Sequence, residues 1–130
     1  MYGARADHDD LRERMTRFAV LLSAPDGSAN ASLLRQRAAF ARCFALHVAD
    51  EQRALARLVA TDRSMRDPLR GYYDRLGALR TDYSAHISTW TPAAIGGDWH
   101  GYGQAVFGLQ DRLRDLMAWE ERNLTVPAVA

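Results

Sequence analysis

The stretch HVADEQRALARLV, residues 47–59, has the period of an amphipathic helix, yet it carries two polar residues on the side that should face a core. Apolar residues spaced three and four apart form one stripe along this segment and the residues before it, namely Phe40, Phe44, Leu55 and Leu58. His47 and Glu51 stand four positions apart on that stripe, so both would point inward. They either face a charged partner such as a metal ion, or lie at the edge of the stripe.

The same spacing recurs in three further segments, which predicts an all-α chain. A first helix over DHDDLRERMTRFAVLLS, residues 7–23, carries acidic residues at its start, where the helix dipole favours them. The second helix spans residues 32–60. A third opens with Asp67 as N-cap and Pro68 in the first turn. A fourth is capped by Asp98 and ended by Pro127.

Short connections join these four segments. APDGSAN, residues 24–30, combines Pro, Gly, Ser and Asn and predicts a turn, and TPAAIGGD, residues 91–98, predicts a loop with one helical turn after Thr91 and Pro92. Four amphipathic helices with short loops are typical of an up-down-up-down four-helix bundle. The residues expected to be buried in its core are Leu11, Phe18, Phe40, Phe44, Leu58, Leu76, Leu79, Leu113 and Leu116.

Length and composition are those of one globular domain over residues 1–130. The chain is 48% hydrophobic and 25% charged with a net charge of +1, and its 17 basic residues are all arginines interleaved with aspartates. This balance gives no electrostatic signal for nucleic acid or a membrane surface. Cys43 is the one cysteine, which excludes an intrachain disulfide and cysteine-based metal motifs. With no apolar run of about 18 residues and no signal peptide, the cytoplasm is the expected location.

Helix rise places four polar residues at one end of the bundle. His8 lies about 17 residues before the first turn and His47 about 17 residues after it, so the two imidazoles should be level on neighbouring helices. Glu51 is one turn further along, and Glu120, near the end of the fourth helix, comes level with the start of the first. Two imidazoles and two carboxylates in a bundle core are how carboxylate-bridged iron and manganese sites are built. These ligand types suit iron, manganese or zinc.

Each of these four residues also has a structural interpretation. His8 could be a surface residue of the first turn. His47 and Glu51 could form a buried hydrogen-bonded pair that needs no metal. Glu120 and its neighbour Glu121 could be a solvated helix end.

The order of the motifs DHDDL, HVADEQRAL and WEERNLTVP resembles the hemerythrin-like cation-binding domains. Those domains have a His opening the first helix, a His-x-x-x-Glu on the second and an acidic element closing the fourth. The resemblance covers almost the whole chain in length, helix order and motif placement. It implies a four-helix bundle, a non-haem di-iron centre, and a role in oxygen binding, iron or redox sensing, or reaction with nitric oxide or peroxide.

The chain departs from the family pattern at two ligand positions. The family has a His about four residues before the last acidic ligand, where this chain has Leu116 or Met117. It also has a His early in the third helix, where this chain offers Tyr72 and Tyr73, either of which could bind ferric iron as a phenolate. The His of that helix, His86, lies about ten residues too late, or about 15 Å along the bundle, and is not counted as a ligand.

Two functions follow from the sequence. The first is a metal-binding module, mono- or dinuclear, with His8, His47, Glu51 and Glu120 as ligands. It would hold iron in preference to manganese or zinc, bind a small diatomic ligand, and act in oxygen, nitric oxide or redox sensing or in iron handling. The second is a metal-free bundle that binds a protein or a small molecule. No nucleophile motif or dinucleotide loop is visible, so neither function implies an enzyme.

Overall fold

In the computed structural model, the described part of the chain, residues 4–24 and 30–124, is helical throughout and contains no strand. Five α-helices follow in order: α1 Ala4–Leu22, α2 Asn30–Thr61, α3 Arg66–Thr89, α4 Pro92–Gly97 and α5 Trp99–Asn123. A short 3-10 helix, Arg63–Met65, lies between α2 and α3. The all-α prediction is therefore confirmed for these residues. Residues 25–29 of the turn predicted over residues 24–30 and the helix end predicted at Pro127 lie outside the described residues.

The predicted start of α3 is wrong. Asp67 is not the N-cap, because α3 begins at Arg66, follows Met65 and has no side-chain cap. The capping carboxylate of this region is Asp62, which accepts a hydrogen bond from the Ser64 amide and so starts the 3-10 helix. Since the 3-10 helix leads directly into α3, no further cap is needed there, and Pro68 takes a first-turn position where a missing amide proton costs nothing.

The predicted cap of the last helix is confirmed. Asp98 accepts a hydrogen bond from the Gly101 amide at 3.0 Å. A Cβ at Gly101 would collide with that carboxylate, so glycine permits the close approach. The helical turn expected after Thr91 is α4, and the Thr91 side chain caps it by accepting from Ala94.

The four long helices contact one another in a closed sequence. α1 packs against α2 and α5, and α3 packs against the same two helices. On α1 and α5, His8 contacts Glu121 while Phe18 contacts Tyr102, so these two helices run in opposite directions. The contacts of α2 with α3 also run in opposite directions, because Glu51 meets Tyr72 whereas Phe40 meets Tyr83.

The interior divides into two apolar clusters along the bundle. The larger cluster packs around Leu11, Phe44, Leu76 and Leu113, and the smaller one around Phe18, Leu33, Ile95 and Tyr102. Seven residues that the sequence predicts to be buried are buried: Leu11, Phe18, Phe44, Leu76, Leu79, Leu113 and Leu116. The prediction is wrong for Phe40 and Leu58, which are only partly buried, since they pack against the edge of the larger cluster.

None of the helices in residues 4–24 and 30–124 combines the length and apolar character that a membrane crossing requires.

Candidate metal site

Three helices bring the four predicted ligand residues together. α1 supplies His8 near its start, α2 supplies His47 and Glu51, and α5 supplies Glu120 near its end. All four are buried, with 5% or less of the residue surface exposed. The interpretation of His8 as a surface residue and of Glu120 as part of a solvated helix end is therefore wrong.

The polar atoms of these residues lie at distances that ligands of one ion adopt. His8 Nε2 is 3.4 Å from Glu120 Oε2, and His47 Nε2 is 2.9 Å from Glu51 Oε2. One ligand atom each from His8, His47 and Glu120 lies within 4.8 Å of the others. Two atoms bound to one ion at about 2.1 Å are about 3.0 Å apart at a right angle and about 3.4 Å apart at the tetrahedral angle. His8, His47 and Glu120 thus form one group of possible ligands, and Glu51 adjoins it through its contact with His47.

The outer nitrogen of His8 is held by a charged pair. His8 Nδ1 is 2.7 Å from Glu121 Oε2, and Arg12 donates to the other oxygen of Glu121 at 2.9 Å. The hydrogen bond from Arg12 keeps the pKa of the Glu121 carboxyl below its usual range, and the His8 contact acts in the same direction. An ionised Glu121 accepts a proton from His8 Nδ1, and in the neutral imidazole Nε2 then carries the lone pair and faces Glu120.

That lone pair provides the test of whether the residues fit a cation. His8 Nε2 is buried and has no hydrogen-bond partner among the described residues, although Glu120 Oε2 lies 3.4 Å away. A lone pair facing a carboxylate oxygen in a buried site is repulsive unless a proton or a metal ion stands between them. The donor set of two imidazoles and two carboxylates matches iron, manganese or zinc. The residues present therefore fit a metal ion.

His47 repeats the arrangement of His8 in a looser form. Its Nε2 faces Glu51 inside the site, and its Nδ1 lies 3.6 Å from Asp7 Oδ2 on the outside. Asp7 is half exposed, whereas Glu121 is mostly buried. Each imidazole thus has a carboxylate on its inner and its outer nitrogen. Outer carboxylates of this kind orient metal-binding histidines and raise their basicity.

Tyr72 reaches the same cluster from α3. Its hydroxyl donates to Glu51 and lies 2.8 Å from Glu120 Oε2, and the residue is 2% exposed. The neighbouring Tyr73 is 43% exposed and faces away from the core. Of the two tyrosines that the sequence leaves open, Tyr72 is therefore the one at the site.

Two buried positions of α5 near Glu120 are apolar. Leu116 and Met117, which stand where the hemerythrin-like pattern has a histidine, are buried in the larger cluster together with Leu76. These side chains offer no nitrogen or oxygen ligand. Among residues 4–24 and 30–124, the imidazole ligands grouped at this end are those of His8 and His47.

His86 lies elsewhere, as its late position on α3 predicts. Its ring stacks on Tyr102 at 5.6 Å and lies 6.0 Å from Tyr83. Tyr102 and Glu120 are separated on α5 by about 27 Å of helix. Burial, together with the nearby charge of Arg37, lowers the pKa of His86 to about 4.

The sequence reasoning missed the supporting roles of Arg12, Glu121 and Asp7. The sequence does indicate Arg12, because it follows His8 by four positions and so lies on the same helix face. Glu121 follows Glu120 directly, and the sequence alone is equally compatible with a solvated helix end at this position.

Comparison of the chain with models of known protein families, with curated proteins and with solved structures finds no match.

Proposed function

We propose that this protein is a hemerythrin-like metal-binding module that holds one non-haem transition-metal ion, iron in preference to manganese or zinc. The ligands are His8, His47, Glu51 and Glu120. The observation that carries the proposal is the inner nitrogen of His8, which faces a buried carboxylate while its outer nitrogen is engaged by Glu121.

The helix contacts support an up-down-up-down four-helix bundle of the hemerythrin-like kind. The four long helices meet in a closed sequence, and residue contacts run in opposite directions in the two pairs described above. In such bundles, metal sites are built in the core from side chains on facing helices. The ligands proposed here come from α1, α2 and α5 in that manner.

The apolar positions favour one ion over two. A di-iron centre needs ligands for a second ion on the α3 and α5 side of the cluster. Leu76, Leu116 and Met117 fill that side and contribute only apolar surface. The resemblance to di-iron domains therefore extends to the helices and to half of the ligand set.

The role follows from the kind of ion. A bound iron ion with an open coordination position supplies reversible binding of a diatomic gas or exchange of one electron. Oxygen, nitric oxide or redox sensing and iron handling are the functions that use this chemistry without catalytic side chains. The partners are then the metal ion and a small diatomic ligand.

A metal-free bundle that binds a protein or a small molecule is the second candidate. Tyr72, Leu76, Leu116 and Met117 belong to one apolar cluster, as expected if side chains fill the space of a former metal centre. In that case a proton lies between His8 Nε2 and Glu120 Oε2, so that one of the two groups donates to the other. The cluster would then be a buried ion-pair network, which costs desolvation energy that a metal site recovers by binding.

Thermal melting with and without metal separates the two candidates. Ferrous iron at a hundredfold excess over its dissociation constant should raise the unfolding free energy by about 2.7 kcal/mol, and chelator should reverse the change. His47→Leu should remove the response, whereas His86→Leu, at the other end of the bundle, should retain it. A wild-type protein that melts identically with iron, manganese, zinc and chelator would exclude the metal function.

A further inference from the structure

The hydroxyl of Tyr72 lies between two carboxylates of the buried cluster. Its oxygen lies within hydrogen-bonding distance of Glu51 Oε1 and of Glu120 Oε2, yet a phenol carries one proton. Only one of these contacts can be a hydrogen bond from Tyr72 at a time. The other contact brings two oxygen atoms together at a buried position, where a proton or a metal ion between them removes the repulsion.

The ring of Tyr72 is held so that its oxygen stays in place. Trp119 of α5 stacks on it with centroids 4.7 Å apart and planes inclined by 15°, and Arg75 covers the Trp119 ring at 5.9 Å. Tyr72 is therefore fixed on one side by an aromatic face and on the other by two carboxylates. This rigidity is what a metal ligand requires.

Charge balance indicates which ion would use this oxygen. Glu51, Glu120 and a Tyr72 phenolate together carry three negative charges, and the imidazoles of His8 and His47 are neutral when they bind metal. A trivalent ion makes that set neutral, which a buried site favours because uncompensated charge is costly there. A tyrosine phenolate is an established ligand of iron in proteins.

We propose that Tyr72 is a ligand of the metal site through its phenolate oxygen, and that it makes the site selective for ferric iron over divalent ions. This inference rests on the metal function proposed above. On binding, the Tyr72 O–H bond breaks, the proton leaves to solvent, and a bond from the phenolate oxygen to the ion forms. Ferric iron supplied as such binds without a change of oxidation state, so this step requires no oxidant or reductant.

Tyr72 and Tyr73 provide a matched pair of variants. Tyr72→Phe removes the oxygen at the cluster and keeps the ring that stacks on Trp119, whereas Tyr73→Phe makes the same chemical change at an exposed position. Far-ultraviolet circular dichroism checks that both variants remain helical. Resonance Raman spectroscopy of the wild type identifies phenolate vibrations without any substitution.

The test is a titration of the three proteins with ferric nitrilotriacetate and, separately, with zinc, followed by visible absorption and by metal content. Wild type and Tyr73→Phe should develop a phenolate-to-iron charge-transfer band, and Tyr72→Phe should not. Ferric affinity of Tyr72→Phe should fall by at least about tenfold, the lower end of the loss that even outer partners of metal ligands cause. Zinc affinity should change less than ferric affinity.

The outcomes separate this inference from the proposed function. Wild-type protein that binds iron and zinc without the band or the phenolate vibrations would overturn the role of Tyr72 alone. A band that survives in Tyr72→Phe would do the same. Wild-type protein that binds neither ion would overturn both proposals together.

Discussion

The bundle buries polar groups in two regions, and the regions treat histidine in opposite ways. At one end, His8 and His47 each have carboxylates near both ring nitrogens. In the other half, a cavity of about 40 Å³ is lined by Arg37, His86 and Gln110 among apolar side chains. We refer to it as the Arg37 pocket.

The difference lies in the charges that surround each imidazole. Arg37 directs its terminal nitrogen to the carbonyls of Ile87 and Trp90 at the end of α3, so a cation rather than an anion neighbours His86. Burial and that cation keep His86 neutral, with a pKa of about 4. The same residue type is thus placed to bind a cation only where carboxylates accompany it, and His86, which is partly buried, has none in the contacts described here.

We expect the largest loss of stability from a substitution in the apolar layer between the two regions. Phe44 is 3% exposed, packs against Phe40 and Tyr83, and lines the Arg37 pocket. Phe44→Ala should lower the unfolding free energy by about 3–5 kcal/mol, because it removes a large buried ring and leaves a cavity. Urea denaturation measures the change. Phe107→Ala, at a position that is 42% exposed, is the control and should stay within about 0.5 kcal/mol of wild type. Equal losses in both variants would contradict the assignment of the core.

A smaller effect, on metal affinity, is expected from a change at Glu121, whose carboxylate contacts the outer nitrogen of His8. Glu121→Gln keeps an acceptor near His8 Nδ1 but removes the charge that Arg12 and His8 share. Metal affinity should fall by about 10–100-fold, the usual range for residues that orient a metal-binding histidine. Isothermal titration calorimetry with ferrous iron measures it under anaerobic conditions. Glu13→Gln is the matched control, since Glu13 is exposed and pairs only with Arg17 on the helix surface. An unchanged affinity of Glu121→Gln for ferrous iron would show that the Glu121 carboxylate does not support metal binding.

The sequence predicts the meeting of His8, His47, Glu51 and Glu120 because helix rise turns sequence separation into height along a bundle. It does not choose between Tyr72 and Tyr73, since that choice depends on the rotation of α3 about its axis. The sequence also does not decide whether Glu121 is solvated or paired, because a glutamate near a helix end is equally compatible with solvent and with an ion pair. Phe40 and Leu58 lie on the predicted stripe, yet only packing against α3 and the 3-10 helix decides how much of each is covered.

The smallest expected effect is a pH dependence that arises in the Arg37 pocket. Unfolding raises the pKa of His86 from about 4 to its ordinary value of 6.5. As pH falls from 6.5 toward 4, the unfolded chain takes up a proton that the folded chain does not, so the stability of the folded state decreases. Wild type should lose melting temperature over this window more steeply than His86→Phe. The exposed His100, replaced by Gln, is the control and should follow wild type. Identical slopes for wild type and His86→Phe would contradict a neutral, buried His86.

The metal content after equilibrium dialysis tests directly whether His8, His47, Glu51 and Glu120 bind a metal ion. Wild type, His47→Leu and His86→Leu are dialysed together against ferrous iron under anaerobic conditions, and bound iron is counted by elemental analysis. We expect one ion per chain in wild type and in His86→Leu, and none in His47→Leu, because His47 belongs to the carboxylate-lined cluster and His86 does not. Equal iron content in all three proteins, or none in wild type, would contradict a metal site at His8, His47, Glu51 and Glu120.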